Sequence, residues 1–255
     1  MMVELKNCYY RYPGKNMLLA NISFSLNKSE IMTILGQNGT GKTTMLKCLT
    51  GILKWERGQT FINGKNISFR SNINEIGYVP QAHNLPFPYT VSEMIAMGRA
   101  KHIGLFSMPS KEDKMKVEET IEEIGIQHIK NSPCTELSGG QLQLVYIARA
   151  LVANPKVLIL DEPESHLDFK NQLMILKLVK RLTKEKDLAC IINTHYPEHA
   201  LKISDKTLFL GTSEYIVGNT KQIITEKNIK RFFDIDAKIV SFMHGNKNLK
   251  TIVAI

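Results

Sequence analysis

The spacing of apolar residues changes character along this chain. Short apolar runs recur at "IMTIL" (31–35), "VLIL" (157–160), "ACIIN" (189–193) and "TLFL" (207–210), with helix-like stretches between them. Alternation of strand and helix predicts an α/β fold with a mainly parallel sheet covered on both faces. "VLIL" shows no polar–apolar alternation, as a strand buried on both sides requires. Near the N-terminus, "FSL" and "TFING" predict antiparallel β-structure around that core.

From about Ala82 to Asn154 no strand pattern appears, and three helical patterns follow one another. Each opens on a hydroxyl residue three positions before a carboxylate or amide: Thr90 with Glu93, Ser110 with Asp113, Ser138 with Gln141. In such a capping box the hydroxyl accepts the third helical N–H while the partner side chain reaches back to the cap. Val117, Ile121 and Ile124 share one helical face, and Leu144, Ala148 and Leu151 form another stripe. Residues 82–154 therefore read as a helical subdomain inserted into a core made of 1–81 and 155–255. No internal repeat or low-complexity tract is evident.

Composition narrows the class only slightly. The 255 residues are 43% hydrophobic and 22% charged, enough to bury the core of one α/β domain. No stretch approaches the roughly 18 apolar residues of a membrane span, and no signal-peptide pattern opens the chain. That predicts an intracellular protein whose membrane role, if any, runs through a partner. Cys8, Cys48, Cys134 and Cys190 are widely spaced and form no C-x-x-C, which argues against a disulfide framework or a zinc site. A net charge of +9 is compatible with nucleic acid, an anionic membrane surface, or neither, because the lysines are scattered.

Candidate chemistry is sharper. "GQNGTGKT", Gly36 to Thr43, fits G-x-x-x-x-G-K-[ST] after the strand "IMTIL" and before a helix through "MLKCL". That is the context of a phosphate-binding P-loop. Gly39 and Gly41 let backbone N–H groups point inward, Lys42 neutralises the β- and γ-phosphates, and the Thr43 hydroxyl is a ligand for Mg²⁺. "VLILDEP" delivers Asp161 to a strand tip, where α/β sheets bind ligands and where a carboxylate can hold Mg²⁺. "LSGGQ" (137–141) opens the third helix on two glycines. It is either an ordinary capping box or a helix N-terminus presented to an anion.

Taken together, "GQNGTGKT", "YVPQ", "LSGGQ", "LILDEP" and "NTH" occur in the order and at the spacings of one family. Over nearly its whole length the chain resembles the nucleotide-binding subunits of ATP-binding cassette (ABC) transporters. The resemblance implies a P-loop NTPase core of RecA-like type, with an antiparallel β region and the inserted helical subdomain. It implies that Gly36, Gln37, Asn38, Gly39, Thr40, Gly41, Lys42, Thr43 and Thr44 hold ATP. Tyr12 in "YRYPG" would stack on adenine, with Tyr10 an adjacent possibility and a strand tyrosine packed on the sheet the plainer one. Ser138, Gly139, Gly140 and Gln141 would meet the γ-phosphate bound in a second copy arranged head to tail, with Asp168 in the loop between subunits.

The same resemblance makes Glu162 the general base, Gln81 a contact to Mg²⁺ and the attacking water, and His195 a contact to the γ-phosphate. Thr43, Gln81 and Asp161 would be the metal set. His195 and His199 stand at i, i+4, but Pro197 and the lack of further ligands argue against a metal pair. His166 reads as a loop residue. Leu142, Glu164 and His166 depart from the commonest family pattern without removing a catalytic group.

"FPYTVSEMIAMGRAKHIGLFSMPSKEDKMKVEETIEEIGI" resembles importer subunits serving iron–siderophore, haem, cobalamin or molybdate uptake. The implied partners are a second copy, transmembrane permease subunits and, indirectly, an extracytoplasmic binding protein. The expected place is the cytoplasmic face of the membrane, with Gln81 to about Phe106 forming the groove for a permease helix. Nucleic acid is not expected; a soluble ABC ATPase acting on it is the alternative.

Overall fold

The computed structural model describes residues 1–67, 69, 74–81, 87–103, 108–245 and 247–255. In chain order the first elements are β1 (Val3–Tyr10), β2 (Leu19–Leu26), β3 (Ile31–Leu35), α1 (Lys42–Leu49), β4 (Arg57–Ile62), β5 (Lys65–Ile67) and β6 (Ile76–Val79). Then come α2 (Val91–Ala96), α3 (Lys111–Ile124), α4 (Gly139–Leu151), β7 (Val157–Asp161), α5 (Phe169–Glu185) and β8 (Ala189–Asn193). The chain closes with α6 (Pro197–Ile203), β9 (Lys206–Leu210), β10 (Tyr215–Asn219), α7 (Thr220–Ile223), α8 (Glu226–Phe233), β11 (Ala237–His244) and β12 (Lys247–Ala254). All four apolar runs are strands, and every residue of β3, β7 and β8 is buried.

Two compact units emerge, Met1–Ser71 with Ala189–Ile255, and Asn72–Leu188. The first holds an antiparallel sheet of order β2-β1-β4-β5, which contains the "FSL" and "TFING" segments. It also holds strands in the order β10-β9-β3-β8, parallel from β9 to β8, with β10 antiparallel at one side. Beneath β3 and β9 lies an apolar cluster of Leu35, Ala200, Phe209, Ile224, Ile229, Phe232 and Ala237. Its Phe209 and Phe232 rings stack at 5.2 Å. Burial of each such ring contributes about 1.5–3 kcal/mol, and this ties down Leu35, the residue from which the P-loop departs. The β11–β12 hairpin is pinned at its base, where Glu226 accepts from the Ile239 N–H and Glu198 accepts from the Thr251 hydroxyl.

The second unit pairs β6 and β7 in parallel and carries α2 to α5. All three predicted capping boxes are formed. The first helix stops after six residues and continues as a 3-10 turn, Met97–His102. There Gly98 allows close approach: a Cβ on it would lie 2.0 Å from the Arg149 carbonyl oxygen. Arg99 donates to Asp113 at 2.8 Å, both side chains being buried, so the 3-10 turn is clamped to the start of α3. α5 is amphipathic, with Ile175, Leu176, Leu178, Val179 and Leu182 on its buried face. Of the expected permease groove, residues 82–86 and 104–107 lie outside the described residues.

Candidate functional site

In the first unit, β3 ends at Leu35 and the chain turns through 36–41 into α1. The turn is possible only for glycine at two places. A Cβ on Gly36 would sit 2.2 Å from the Leu210 carbonyl oxygen, and Gly41 caps α1 in the left-handed region at φ 100°. Gly39 is left-handed as well, at φ 82°. Successive turns of this kind aim backbone N–H groups into one concavity. The N-cap residue, Gly41, has no side chain to cap α1, so the helix N-terminus and its dipole face the loop without a capping hydroxyl or carboxylate from that position.

Gln37, Asn38 and Gly39 form the exposed tip of the loop, whereas Lys42 lies beneath it at 5% exposure. Its Nζ donates to the Gly36 and Gln37 carbonyl oxygens at 2.8 Å each, and the Thr40 hydroxyl donates to Gln37 O at 3.0 Å. These contacts hold the ammonium against the loop, where its charge can serve a phosphate bound there. Thr43 is half-buried at the start of α1 and Thr44 is buried beside it. The Tyr12 and Thr44 hydroxyls share a hydrogen bond at 3.1 Å, and the Tyr12 ring meets Tyr10 edge-on at 5.1 Å. Tyr10 is the buried sheet tyrosine. Tyr12 is 41% exposed and borders an open cleft of about 680 Å³ with Arg11, Lys15, Lys54 and Glu56.

β8 delivers "NTH" to its C-terminal end. Thr194 is anchored through its N–H to Ile34 O at 3.1 Å, which leaves His195 half-buried just beyond. His199 is buried in α6, with its ring 4.8 Å from that of Tyr196. Among the described residues no group of three or more His, Cys, Asp or Glu is placed to hold a metal ion. The four cysteines are free and buried. Burial pushes the Cys8 and Cys48 thiols up to about 11 and about 12, so neither is a thiolate nucleophile at neutral pH.

The second unit builds a different site on one pair of strands. Tyr78 stands opposite Ile159 and Val79 opposite Leu160. Continued by two residues, that register sets Gln81 against Glu162, and the Gln81 amide donates to Glu162 Oε2 at 3.2 Å. Ser165 Oγ donates to the same oxygen at 3.0 Å. Glu162 itself takes φ 49°, a left-handed turn that ends the strand before Pro163. Asp161, 3% exposed, accepts from the Tyr78 hydroxyl at 3.2 Å. Burial, and then the Asp161 charge, push the Tyr78 phenol up, so it stays a proton donor throughout the physiological range.

Downstream, Asp168 caps α5: Oδ1 accepts from the Asn171 N–H at 2.7 Å and Oδ2 from the Asn171 amide at 3.0 Å. Asn171 in turn lies against α4, where a Cβ on Gly140 would be 2.7 Å from its side chain. Ser138 caps α4 by accepting the Gln141 N–H at 3.3 Å, and Gln141 Oε1 accepts the Ser138 N–H at 3.0 Å. Asp168 and the double glycine, twenty-eight residues apart in number, are thus joined through Asn171. Sequence reasoning did not reach Tyr78, Ser165 or Asn171. The signal for Tyr78 lay in "YVPQ" itself, in register with "LILDE" once the strands pair; Ser165 and Asn171 had none.

A family model described as ABC transporter matches residues 19–165. The chain belongs to the ABC transporter family. It is an ATPase of that family, and its domain binds ATP. Among its relatives is the molybdate import ATP-binding protein MolC of Haemophilus influenzae, 35% identical over 91% of this chain and 88% of that protein. A Helicobacter pylori protein named "Probable iron chelatin transport ATP-binding protein" is 34% identical over 97% of this chain and 98% of its own length. A solved structure, described as a metal-chelate type ABC transporter in an inward-facing conformation, superposes with a TM-score of 0.91 at 31% identity. It covers 100% of this chain and 97% of its own. Among the described residues no helix is long and apolar enough to cross a membrane.

Proposed function

We propose that this chain is the ATP-hydrolysing subunit of an importer for a metal chelate or a related metal species. Separate membrane subunits would carry the substrate, and two copies of this chain would close head to tail around ATP. The observation that carries the reading is the carboxylate pair at the end of β7, with Glu162 held in register by Gln81. Relatives named for molybdate import and for iron chelatin transport, each matched over nine-tenths of this chain, support the transport class. They do not favour action on nucleic acid.

In this mechanism the loop from Gly36 to Thr44 wraps the phosphates through its N–H groups. Lys42 exchanges the Gly36 and Gln37 carbonyls for phosphate oxygens, and Tyr12 stacks on the adenine. The residues present suit Mg²⁺: the Thr43 hydroxyl, the Gln81 amide oxygen and the buried Asp161 carboxylate are hard oxygen donors. A cation that keeps waters and phosphate oxygens needs no cage of several carboxylates, in keeping with the lack of one among the described residues. When bound, Mg²⁺ supplies charge neutralisation on the β- and γ-phosphates.

Glu162 takes a proton from, or orients, the attacking water, and Gln81 and Ser165 fix the carboxylate that does so. His195 contacts the γ-phosphate from the end of β8. The N-terminal end of α4, with Ser138, Gly139, Gly140 and Gln141, meets the γ-phosphate of the second copy, positioned by Asp168 through Asn171. The segment 82–154 transmits closure to the permease at the cytoplasmic face of the membrane.

Light scattering of wild type and Glu162→Gln, with and without MgATP and alongside phosphate release, tests this reading. The variant is expected to bind ATP, form a stable dimer and lose turnover by about three orders of magnitude, within the usual worth of a positioned base. Near-normal phosphate release would sink the base assignment. A variant that binds ATP but stays monomeric would sink closure by this chain alone.

A further inference from the structure

Tyr78 has no part in the reading above, yet its place is set by the strand register. Ile159 and Asp161 lie on the same face of β7 because strand side chains alternate, and Tyr78 sits opposite Ile159 in the parallel neighbour. Asp161 is therefore two residues, roughly 6.6 Å, further up the same face. A tyrosine leaning along the strand spans that gap with its hydroxyl; a shorter side chain cannot, and phenylalanine arrives without a donor. The contact is made, with Tyr78 Oη donating to Asp161 Oδ2 at 3.2 Å. The strand bearing Tyr78 has little freedom to move. Gly77 lies so close to α4 that a Cβ there would be 2.8 Å from the Ala150 carbonyl oxygen.

We infer that Tyr78 is a positioning residue: its hydroxyl holds the rotamer in which the buried Asp161 carboxylate serves the divalent cation that accompanies ATP. This rests on the proposed role of Asp161 as a ligand for that cation. Partners of ligating carboxylates orient the ligand, and losing one typically costs 10–100-fold in metal affinity. A short segment, Tyr78 to Gln81, thus sets both carboxylates at the end of β7, one through a phenol and the other through an amide.

The test is equilibrium binding of a fluorescent ATP analogue in excess Mg²⁺ and in EDTA, with no turnover measured. The ratio of the Kd in EDTA to the Kd in Mg²⁺ reports how much the cation helps the nucleotide to bind. Tyr78→Phe is expected to lower that ratio about tenfold while leaving the Kd in EDTA essentially unchanged. Made in an Asp161→Asn background, the same change is expected to do nothing further, since the hydroxyl then has no ligand to orient. Equal ratios in wild type and Tyr78→Phe would overturn the inference, as would a full tenfold loss in the Asp161→Asn background. Wild type that binds no ATP in either buffer would instead overturn the proposed function.

Discussion

Two helices of this protein begin on glycine, and they begin differently. α1 is capped by Gly41 at φ 100°, which brings no capping side chain, and Lys42 is buried beneath the turn. α4 is capped by Ser138 at φ −63° with a complete capping box. The reasons for glycine also differ. Gly41 is required by its backbone angle, whereas Gly140, in ordinary helical conformation, leaves room for the Asn171 side chain that a Cβ there would push aside. The first arrangement gathers backbone donors and a cation in one loop, the chemistry that encloses a phosphate. The second satisfies its own cap and offers only the outermost N–H groups and the helix dipole. An enclosing site suits a ligand held by one chain, and a capped helix end suits a contact that a second copy can make and release.

That contrast can be broken by substitution. Lys42→Ala removes the cation from the enclosing site and should weaken ATP binding about ten- to a hundredfold. This is the scale of a lost hydrogen bond to a charged group, about 1.5–3 kcal/mol. Equilibrium binding measures it, and unchanged affinity would mean that α1 does not enclose the phosphates. Ser138→Ala should cost about 1 kcal/mol of stability through the lost cap while leaving ATP affinity of the isolated chain unaltered. Denaturant unfolding and binding together check this; weakened ATP binding by the monomer would place both glycine-opened helices at one nucleotide within one chain.

The smallest effect concerns the acid limb. Hydrogen bonds from the Ser110 hydroxyl and N–H, with the Arg99 guanidinium, hold the Asp113 carboxyl down at about 2, against 3.8 ordinarily. A carboxyl depressed in the folded state stabilises fully above its unfolded value and loses that contribution as pH falls through its folded one. The difference in thermal midpoint between wild type and Asp113→Asn should therefore be constant above about pH 4 and shrink between pH 4 and 2. Calorimetry across that range decides it, and a difference that does not change with pH would remove the ionised clamp. α1 has no acidic group in its first turn, so its own start should lack this acid sensitivity.

Much of this was legible in the sequence because the decisive signals are local. An apolar run is a strand wherever it is buried on both faces, a hydroxyl three residues before a carboxylate or amide caps whatever helix follows, and a glycine at a left-handed position announces the turn. The P-loop, the three capped helix starts, β3, β7, β8 and β9 are all of this kind. The segment after β9 was not legible. β11 carries a mixture of apolar and polar residues that is largely exposed on both faces, so its pattern has no buried side to report. It pairs with β12, and α8 and α6 hold that hairpin through Glu226 on Ile239 and Glu198 on Thr251.

By itself the sequence determined which residues could serve a phosphate, a divalent cation and a water, because those capacities belong to residue types and to turns within a few positions. It also determined the family, through the order of five short motifs. Only the tertiary structure decided which donors hold which carboxylates. Tyr78 meets Asp161 and Gln81 meets Glu162 because β6 and β7 pair in one register out of several, and a shift of one residue would turn Tyr78 to the opposite face. Likewise Asn171 joins Asp168 to Gly140 only because α5 returns against α4. Register and helix packing depend on burial summed over whole elements, and no stretch of a few residues encodes that sum.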